Sequence, residues 1–169
     1  LVLAQLKYII GKENLEKTLK KYFEDWSFKH PKPNDFIRCA EKTSGIELQW
    51  FLTDWTQTTN TIDYGVKDAV VLDGQMRIAI ERIGLMPMPV EVQVLMKDGG
   101  TKDYYIPLQM MRGEKPLMKN EVLLKDWTWA HPEYRFSIDV DPSKIDSISI
   151  DVQKETADIN KENNTFKVL

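Results

Sequence analysis

The feature that most constrains this chain of 169 residues is a change in the spacing of its apolar residues near residue 60. Before that point apolar residues recur every three or four positions, as on one face of an α-helix. After it they alternate with polar residues, as on one face of a β-strand. The sequence therefore predicts an α+β chain in two parts, a short helical bundle over residues 1–60 and a β-domain over residues 61–169.

Helix boundaries in the first part are marked by turn-forming residues. Gly11 suits the end of the first helix, and Pro33 suits the first turn of the third. Ser44 and Glu47 have the spacing of a capping box for the fourth helix. The predicted apolar stripes of helices one, two and four are Val2, Leu3, Leu6, Ile9 and Ile10; Leu15, Leu19, Tyr22, Phe23 and Trp26; and Leu48, Phe51, Leu52 and Trp55.

Short strands separated by turn signals fill the second part. Alternation predicts strands at 76–81, 90–96, around 105, at 134–140 and at 148–152, with two more near 62–72 and 120–129. The segment KDGGT predicts a tight turn before the strand around 105. This set of about seven strands favours an Ig-like antiparallel β-sandwich.

Composition excludes some classes of function. The formal net charge is −3, and its charged residues are interspersed, so there is no electrostatic reason to expect nucleic acid or an anionic membrane as partner. No apolar run approaches the ~18 residues that span a bilayer. The single cysteine, Cys39, cannot form an internal disulfide, and neither the redox environment nor the cellular location can be read from the chain.

Residues with catalytic or metal-binding chemistry are few. His30 and His131 each precede proline, and neither has a carboxylate or cysteine at helical spacing, so both are predicted to be loop residues. Cys39 lies beside apolar helix positions and is predicted to be a buried small residue, with a nucleophile as the alternative. We therefore predict no catalytic, cofactor-binding or metal-binding residue within this chain.

Two acidic stretches and one tryptophan pair have two interpretations each. The acidic stretches resemble parts of a calcium loop but lack its glycine and closing glutamate, so turns and Asx caps are the simpler account. Trp127 and Trp129 could stack a sugar or a peptide, or pack in a core or between domains. The acidic residues are Asp139, Asp141 and Asp146 in one stretch, and Asp158, Asn160 and Glu162 in the other.

Ordered landmarks in the first 60 residues resemble the C-terminal part of the catalytic domain of M1-family zinc aminopeptidases (gluzincins). Residues 61–169 resemble the family's β-sandwich domain. Lys32 departs from the family, which often has a Thr or Ser cap before the proline. The matching features are Ile10-Gly11, Tyr22 to Trp26, His30 to Phe36, Ser44-Gly45, Trp50-Phe51 to Trp55 and, near the end, Asp158 to Asn164.

The resemblance implies a parent enzyme that uses zinc to remove N-terminal residues from peptides. The family's zinc ligands, in His-Glu-x-x-His plus a later Glu, and its tyrosine in Tyr-x-Lys-Gly would all precede Leu1, so none can be carried over onto this chain. Residues 1–60 would be the last helices of a thermolysin-like catalytic domain. The chain itself is expected to be inactive, a structural support of a shorter, three-domain member.

The same resemblance predicts partners. The upstream catalytic domain would cover the first helix, and peptide substrates would bind to the parent. In its absence Leu3, Leu6 and Ile10 are expected to favour self-association or refolding of the first helix. The alternatives are a peptide- or glycan-binding module on the β-sandwich and a non-catalytic relative that serves as an interaction platform.

Overall fold

The computed structural model describes residues 1–168 and has an α+β architecture with four helices and two β-sheets. The four helices come first and the strands follow, so the predicted change near residue 60 is confirmed. The helices are α1 (Val2–Ile10), α2 (Lys12–Trp26), α3 (Pro33–Ser44) and α4 (Gln49–Gln57). The strands are β1 (Tyr64–Leu72), β2 (Gln75–Arg82), β3 (Val90–Met96), β4 (Thr101–Ile106), β5 (Val122–Leu123), β6 (Glu133–Ile138), β7 (Ile145–Ile150) and β8 (Thr165–Lys167).

The strands form one sheet of three and one of five. The smaller sheet has the order β1-β2-β6 and is antiparallel throughout. The larger has the order β5-β4-β3-β7-β8, and all its pairs are antiparallel except the short β4–β5 pair. Buried residues of both sheets and of three helices belong to a single hydrophobic cluster. Side chains from the helical part therefore share a core with the β-strands.

The alternation of apolar and polar residues correctly predicted strands β2 and β3, because one face of each strand is buried more deeply than the other. In β2 the side chains of Met76, Ile78 and Ile80 are buried, as predicted. In β3 the buried side chains are Val90, Val92 and Val94. The KDGGT turn is also confirmed, since the Met96 N–H donates to the Gly100 carbonyl and closes the β3–β4 hairpin.

Two strand predictions were wrong in detail, and one strand was not predicted. Within 120–129 only Val122 and Leu123 form a strand, β5. The strand predicted at 148–152 begins earlier and ends sooner, as β7 (Ile145–Ile150), and Val152 is exposed beyond it. The three-residue strand β8 was not predicted, because a segment that short shows too little alternation to stand out.

The helix boundaries at Gly11 and Pro33 are confirmed. Gly11 has a φ of 85°, a region that favours glycine, and its N–H donates to the Lys7 carbonyl. Pro33 is the first residue of α3. The Lys32 side chain makes no capping hydrogen bond; instead the Lys32 N–H donates to Asp35 Oδ2 at 2.8 Å.

The predicted capping box of Ser44 and Glu47 was wrong. Ser44 is the last residue of α3, and its hydroxyl donates to the Ala40 carbonyl of the same helix. Gly45, with a φ of 74°, ends that helix. The start of α4 is capped from the preceding helix, because Glu41 Oε1 accepts a hydrogen bond from the Leu48 N–H at 2.9 Å.

The expectation that Leu6 and Ile10 face missing neighbours was also wrong. Both side chains are 0% exposed and lie in the shared hydrophobic cluster. The first helix is held by the β-strands of its own chain: the Glu91 N–H of β3 donates to Tyr8 Oη at 3.2 Å. Only Leu3 of the three predicted contact residues remains exposed.

Candidate functional site

The two histidines and the cysteine do not form a reactive cluster. His30 and His131 are both exposed, His30 between α2 and α3 and His131 just before β6. Cys39 is buried in α3, and burial raises the pKa of its thiol, which disfavours the thiolate needed in a nucleophile. Across residues 1–168, no three His, Cys, Asp or Glu side chains are grouped so that they could hold a metal ion.

The acidic stretches use their oxygens to close turns. Asp158 Oδ1 accepts from the Asn160 N–H at 2.9 Å, and Asn160 Oδ1 accepts from the Glu162 N–H at 3.3 Å. In the other stretch, Asp141 Oδ1 accepts from the Ser143 N–H at 3.0 Å. These are the hydrogen bonds of Asx turns, so the simpler interpretation holds at these three residues. Asp139 and Asp146 are exposed.

Asp158 also links its loop to the smaller sheet. Its Oδ2 accepts from the Tyr64 N–H at the start of β1, at 3.3 Å. Burial raises the pKa of the Asp158 carboxyl, and the nearby Asp63 and Asp151 carboxylates act in the same direction. The loop around Asp158 is therefore anchored by hydrogen bonds to a carboxylate that has little contact with water.

The tryptophan pair is divided between core and surface. Trp127 is buried, its ring contacts the rings of Tyr64 and Tyr134, and its Nε1–H donates to the His131 carbonyl at 2.8 Å. Trp129 is half-buried, with the Arg82 guanidinium 3.7 Å from its ring centre. Trp127 packs in the core, as one of the two interpretations predicted. The two rings therefore do not form a joint surface on which a ligand could stack.

The strongest candidate for a functional site is an apolar surface on α2. The inner side of this helix packs on α3: Thr18 Oγ1 lies 2.6 Å from Thr43 Oγ1, and the Tyr22 ring meets the Phe36 ring edge to face. Leu19 and Phe23, four residues apart, share the other side. We call these two residues the α2 outer face.

Water contacts most of this surface. Phe23 is 73% exposed and Leu19 is 43% exposed. The predicted stripe of α2 is therefore divided, because only its inner members meet α3. Two further groups of apolar side chains are also exposed: Leu1, Val2 and Leu3 at the start of α1, and Val70, Val71 and Leu72 at the end of β1. Exposed apolar side chains concentrated in this way are typical of surfaces that bind another protein surface.

Sequence reasoning missed the polar link between α1 and the segment after β7. Gln5 is almost fully buried; its Nε2 donates to the Glu155 carbonyl at 2.9 Å, and its Oε1 accepts from the Ala157 N–H at 3.0 Å. Nothing near Gln5 in the sequence marks a partner about 150 residues away. A buried glutamine in an apolar stripe was the only available signal.

Comparison with solved structures shows which fold this chain is similar to. No family model and no curated protein sequence matches the chain. Among solved structures, the chain is similar to aminopeptidase A from Legionella pneumophila, which was crystallised in complex with aspartic acid, with a TM-score of 0.64 and 18% sequence identity. The match covers 93% of this chain and 16% of that chain. The structure thus has the fold of one part of a much longer peptidase.

No helix within residues 1–168 is long and apolar enough to cross a membrane.

Proposed function

We propose that this chain is a structural portion of a zinc-dependent aminopeptidase of the M1 type. The observation that carries the proposal is the likeness of nearly the whole chain to 16% of an aminopeptidase. In this proposal residues 1–60 are the last helices of a thermolysin-like catalytic domain and residues 61–169 are its Ig-like β-sandwich. The β-sandwich reading is supported by the two sheets and by the core cluster that they share.

Residues 1–168 are not arranged to bind zinc, because no three of their His, Cys, Asp or Glu side chains are grouped as metal ligands. In the parent enzyme the metal and the reacting groups would belong to chain outside this segment. The metal would supply the polarisation of the scissile peptide carbonyl. The contribution of this chain would be mechanical: it would support the catalytic domain through its exposed apolar surfaces.

The α2 outer face supports this role. Burying Leu19 and Phe23 against another domain would contribute about 1.5–3 kcal/mol for each side chain relative to leaving it in water. The adjoining part of the same parent protein is the occupant that the peptidase likeness favours. Peptide or glycan binding through the tryptophan pair has less support, since Trp127 is buried in the core.

The experiment that tests the proposal is to express the whole open reading frame that contains these 169 codons. We expect the product to release N-terminal residues from aminoacyl 4-nitroanilides and to lose this activity with a zinc chelator. The 169-residue chain alone should show no such activity and no stoichiometric zinc by elemental analysis. Tightly bound zinc in the chain alone, or a parent sequence that lacks His-Glu-x-x-His, would contradict the proposal.

A matched pair of substitutions tests the role of α2. In the full-length product, Phe23→Asp places a charge on the α2 outer face and should lower thermal stability and activity together. Lys20→Asp introduces the same side chain, with a larger change in charge, at a neighbouring exposed position of the helix and should still change both much less. Equal effects of the two variants would show that the α2 outer face is not an interface.

A further inference from the structure

A small cavity on the larger sheet carries an inference that does not depend on the peptidase proposal. Its volume is about 40 Å³, and it lies where β3, β4, the segment before β5 and the segment after β7 meet. We call it the acidic cavity. Its lining includes Glu91, Gln93, Asp103, Met118, Glu121 and Val152.

Two of the three carboxylates in the acidic cavity have side-chain partners within the chain. Glu91 forms an ion pair with Lys115. Asp103 Oδ1 accepts a hydrogen bond from Gln93 Nε2 at 2.8 Å, but that amide brings no positive charge. Three carboxylates line the cavity, and the Lys115 ammonium group pairs with one of them, so the cavity has an excess of negative charge.

Glu121 is the carboxylate that lacks a complete set of partners. Its side chain is only 8% exposed, and its Oε2 accepts from the Met118 N–H at 2.9 Å, which fixes its orientation. Oε1 is buried and receives no hydrogen bond from any of residues 1–168. A buried carboxylate oxygen without a donor is unfavourable, so the site favours a ligand that donates hydrogen bonds and carries positive charge.

The size and rim of the cavity limit the ligand. A volume of about 40 Å³ holds roughly three water molecules at about 10–15 Å³ each, which suits a head group of a few atoms and excludes a sugar ring or a nucleotide. Met118 and Val152 are exposed and could contact a methylene chain. A guanidinium group is planar and donates in a fork, so it can serve carboxylates on two walls at once.

We propose that the acidic cavity binds the guanidinium group of an arginine side chain from a polypeptide partner. In this arrangement Glu121 Oε1 accepts the hydrogen bond that it lacks in the free chain. Asp103 supplies the second negative charge, and the aliphatic part of the arginine lies along Met118 and Val152.

The test uses the whole chain, labelled with ¹⁵N, and two peptides of equal size, acetyl-Gly-Arg-Gly-amide and acetyl-Gly-citrulline-Gly-amide. Citrulline has nearly the shape of arginine without its charge. We expect the arginine peptide to shift the amide resonances of Gln93, Asp103 and Glu121, and the citrulline peptide to leave them in place. Glu121→Gln should raise the Kd for the arginine peptide by about tenfold or more, whereas Glu16→Gln on the exposed side of α2 should not change it.

Three results would overturn the proposal. They are equal shifts with both peptides, no shift with either peptide, and an unchanged Kd in Glu121→Gln with its fold retained. Should the spectrum show that Glu121→Gln is unfolded, Asp103→Asn is the second variant, and it should weaken arginine binding in the same direction. A calcium titration is run in parallel, and shifts of the same resonances by calcium but not by the arginine peptide would assign the cavity to a metal ion instead.

Discussion

Helices α1 and α2 follow each other in the chain, yet their apolar residues are used differently. Each has an apolar stripe, but the buried members of the α1 stripe lie in the shared hydrophobic cluster, while Leu19 and Phe23 of α2 face water. Hydrogen bonds show the same contrast, since Gln5 of α1 binds the backbone of the segment after β7. A periodic apolar stripe therefore shows that a helix has an apolar face. It does not show whether that face is buried or which part of the protein covers it.

The largest expected effect is on the covered side of α1. Ile9 is completely buried, so Ile9→Ala should lower the free energy of unfolding by about 2–5 kcal/mol through lost burial and a residual cavity. Chemical denaturation followed by circular dichroism measures the change. Phe23→Ala on the α2 outer face is the control and should stay within about 0.5 kcal/mol of the unmodified chain. A similar loss in both variants would remove the contrast between the two helices.

The next effect concerns the polar link of α1. Gln5→Ala removes a donor and an acceptor and leaves the Glu155 carbonyl and the Ala157 N–H without those partners. We expect a loss of about 1–3 kcal/mol and faster hydrogen exchange at the Ala157 amide. Gln49→Ala, at the exposed first residue of α4, is the matched control. Unchanged exchange at Ala157 would mean that this link does not hold the loop.

A smaller, pH-dependent effect is expected at Asp158, which anchors the same loop. Its pKa is raised by burial above the ordinary 3.8, so the folded chain binds this proton more tightly than the unfolded chain. The stability contributed by the protonated carboxyl is therefore fully present below pH 3.8 and is lost as the pH rises through the folded-state pKa. The unfolding free energy of the unmodified chain minus that of Asp158→Asn should decrease over this interval. A difference that rises with pH would contradict the burial argument.

The smallest effect on stability, but a clear effect on assembly, is expected at the α2 outer face. Phe23→Asp should change the unfolding free energy by no more than about 0.5 kcal/mol because the side chain already meets water. If the isolated chain self-associates through this face, light scattering should show a lower mean mass for Phe23→Asp than for the unmodified chain. A monomer at high concentration before any substitution would show that the face does not pair copies of this chain.

Periodicity predicted α1, α2, β2 and β3 because their apolar residues are spaced as the elements require. It failed where structure depends on partners outside the element itself. The two-residue strand β5 exists because it pairs with β4, and α4 begins where Glu41 of the preceding helix accepts the Leu48 N–H. The acidic cavity could not be predicted either, since its lining residues come from segments up to about 60 positions apart. The spacing of residues along the chain does not show which segments will be in contact in the folded protein.

The sequence by itself determined the order of helices and strands, the end of α1 at Gly11, the turn of the β3–β4 hairpin at KDGGT, and the alternating burial of residues in β3. These depend on backbone conformation and on local spacing, which each segment specifies alone. Only the tertiary structure decided that Leu6 and Ile10 are covered while Phe23 is not, and that Trp127 belongs to the core. It also decided that one oxygen of Glu121 has no hydrogen-bond donor among residues 1–168. A side chain is buried, or its polar atoms are hydrogen-bonded, only when another part of the protein lies against it. That other part comes from a different segment of the chain, which local sequence does not specify.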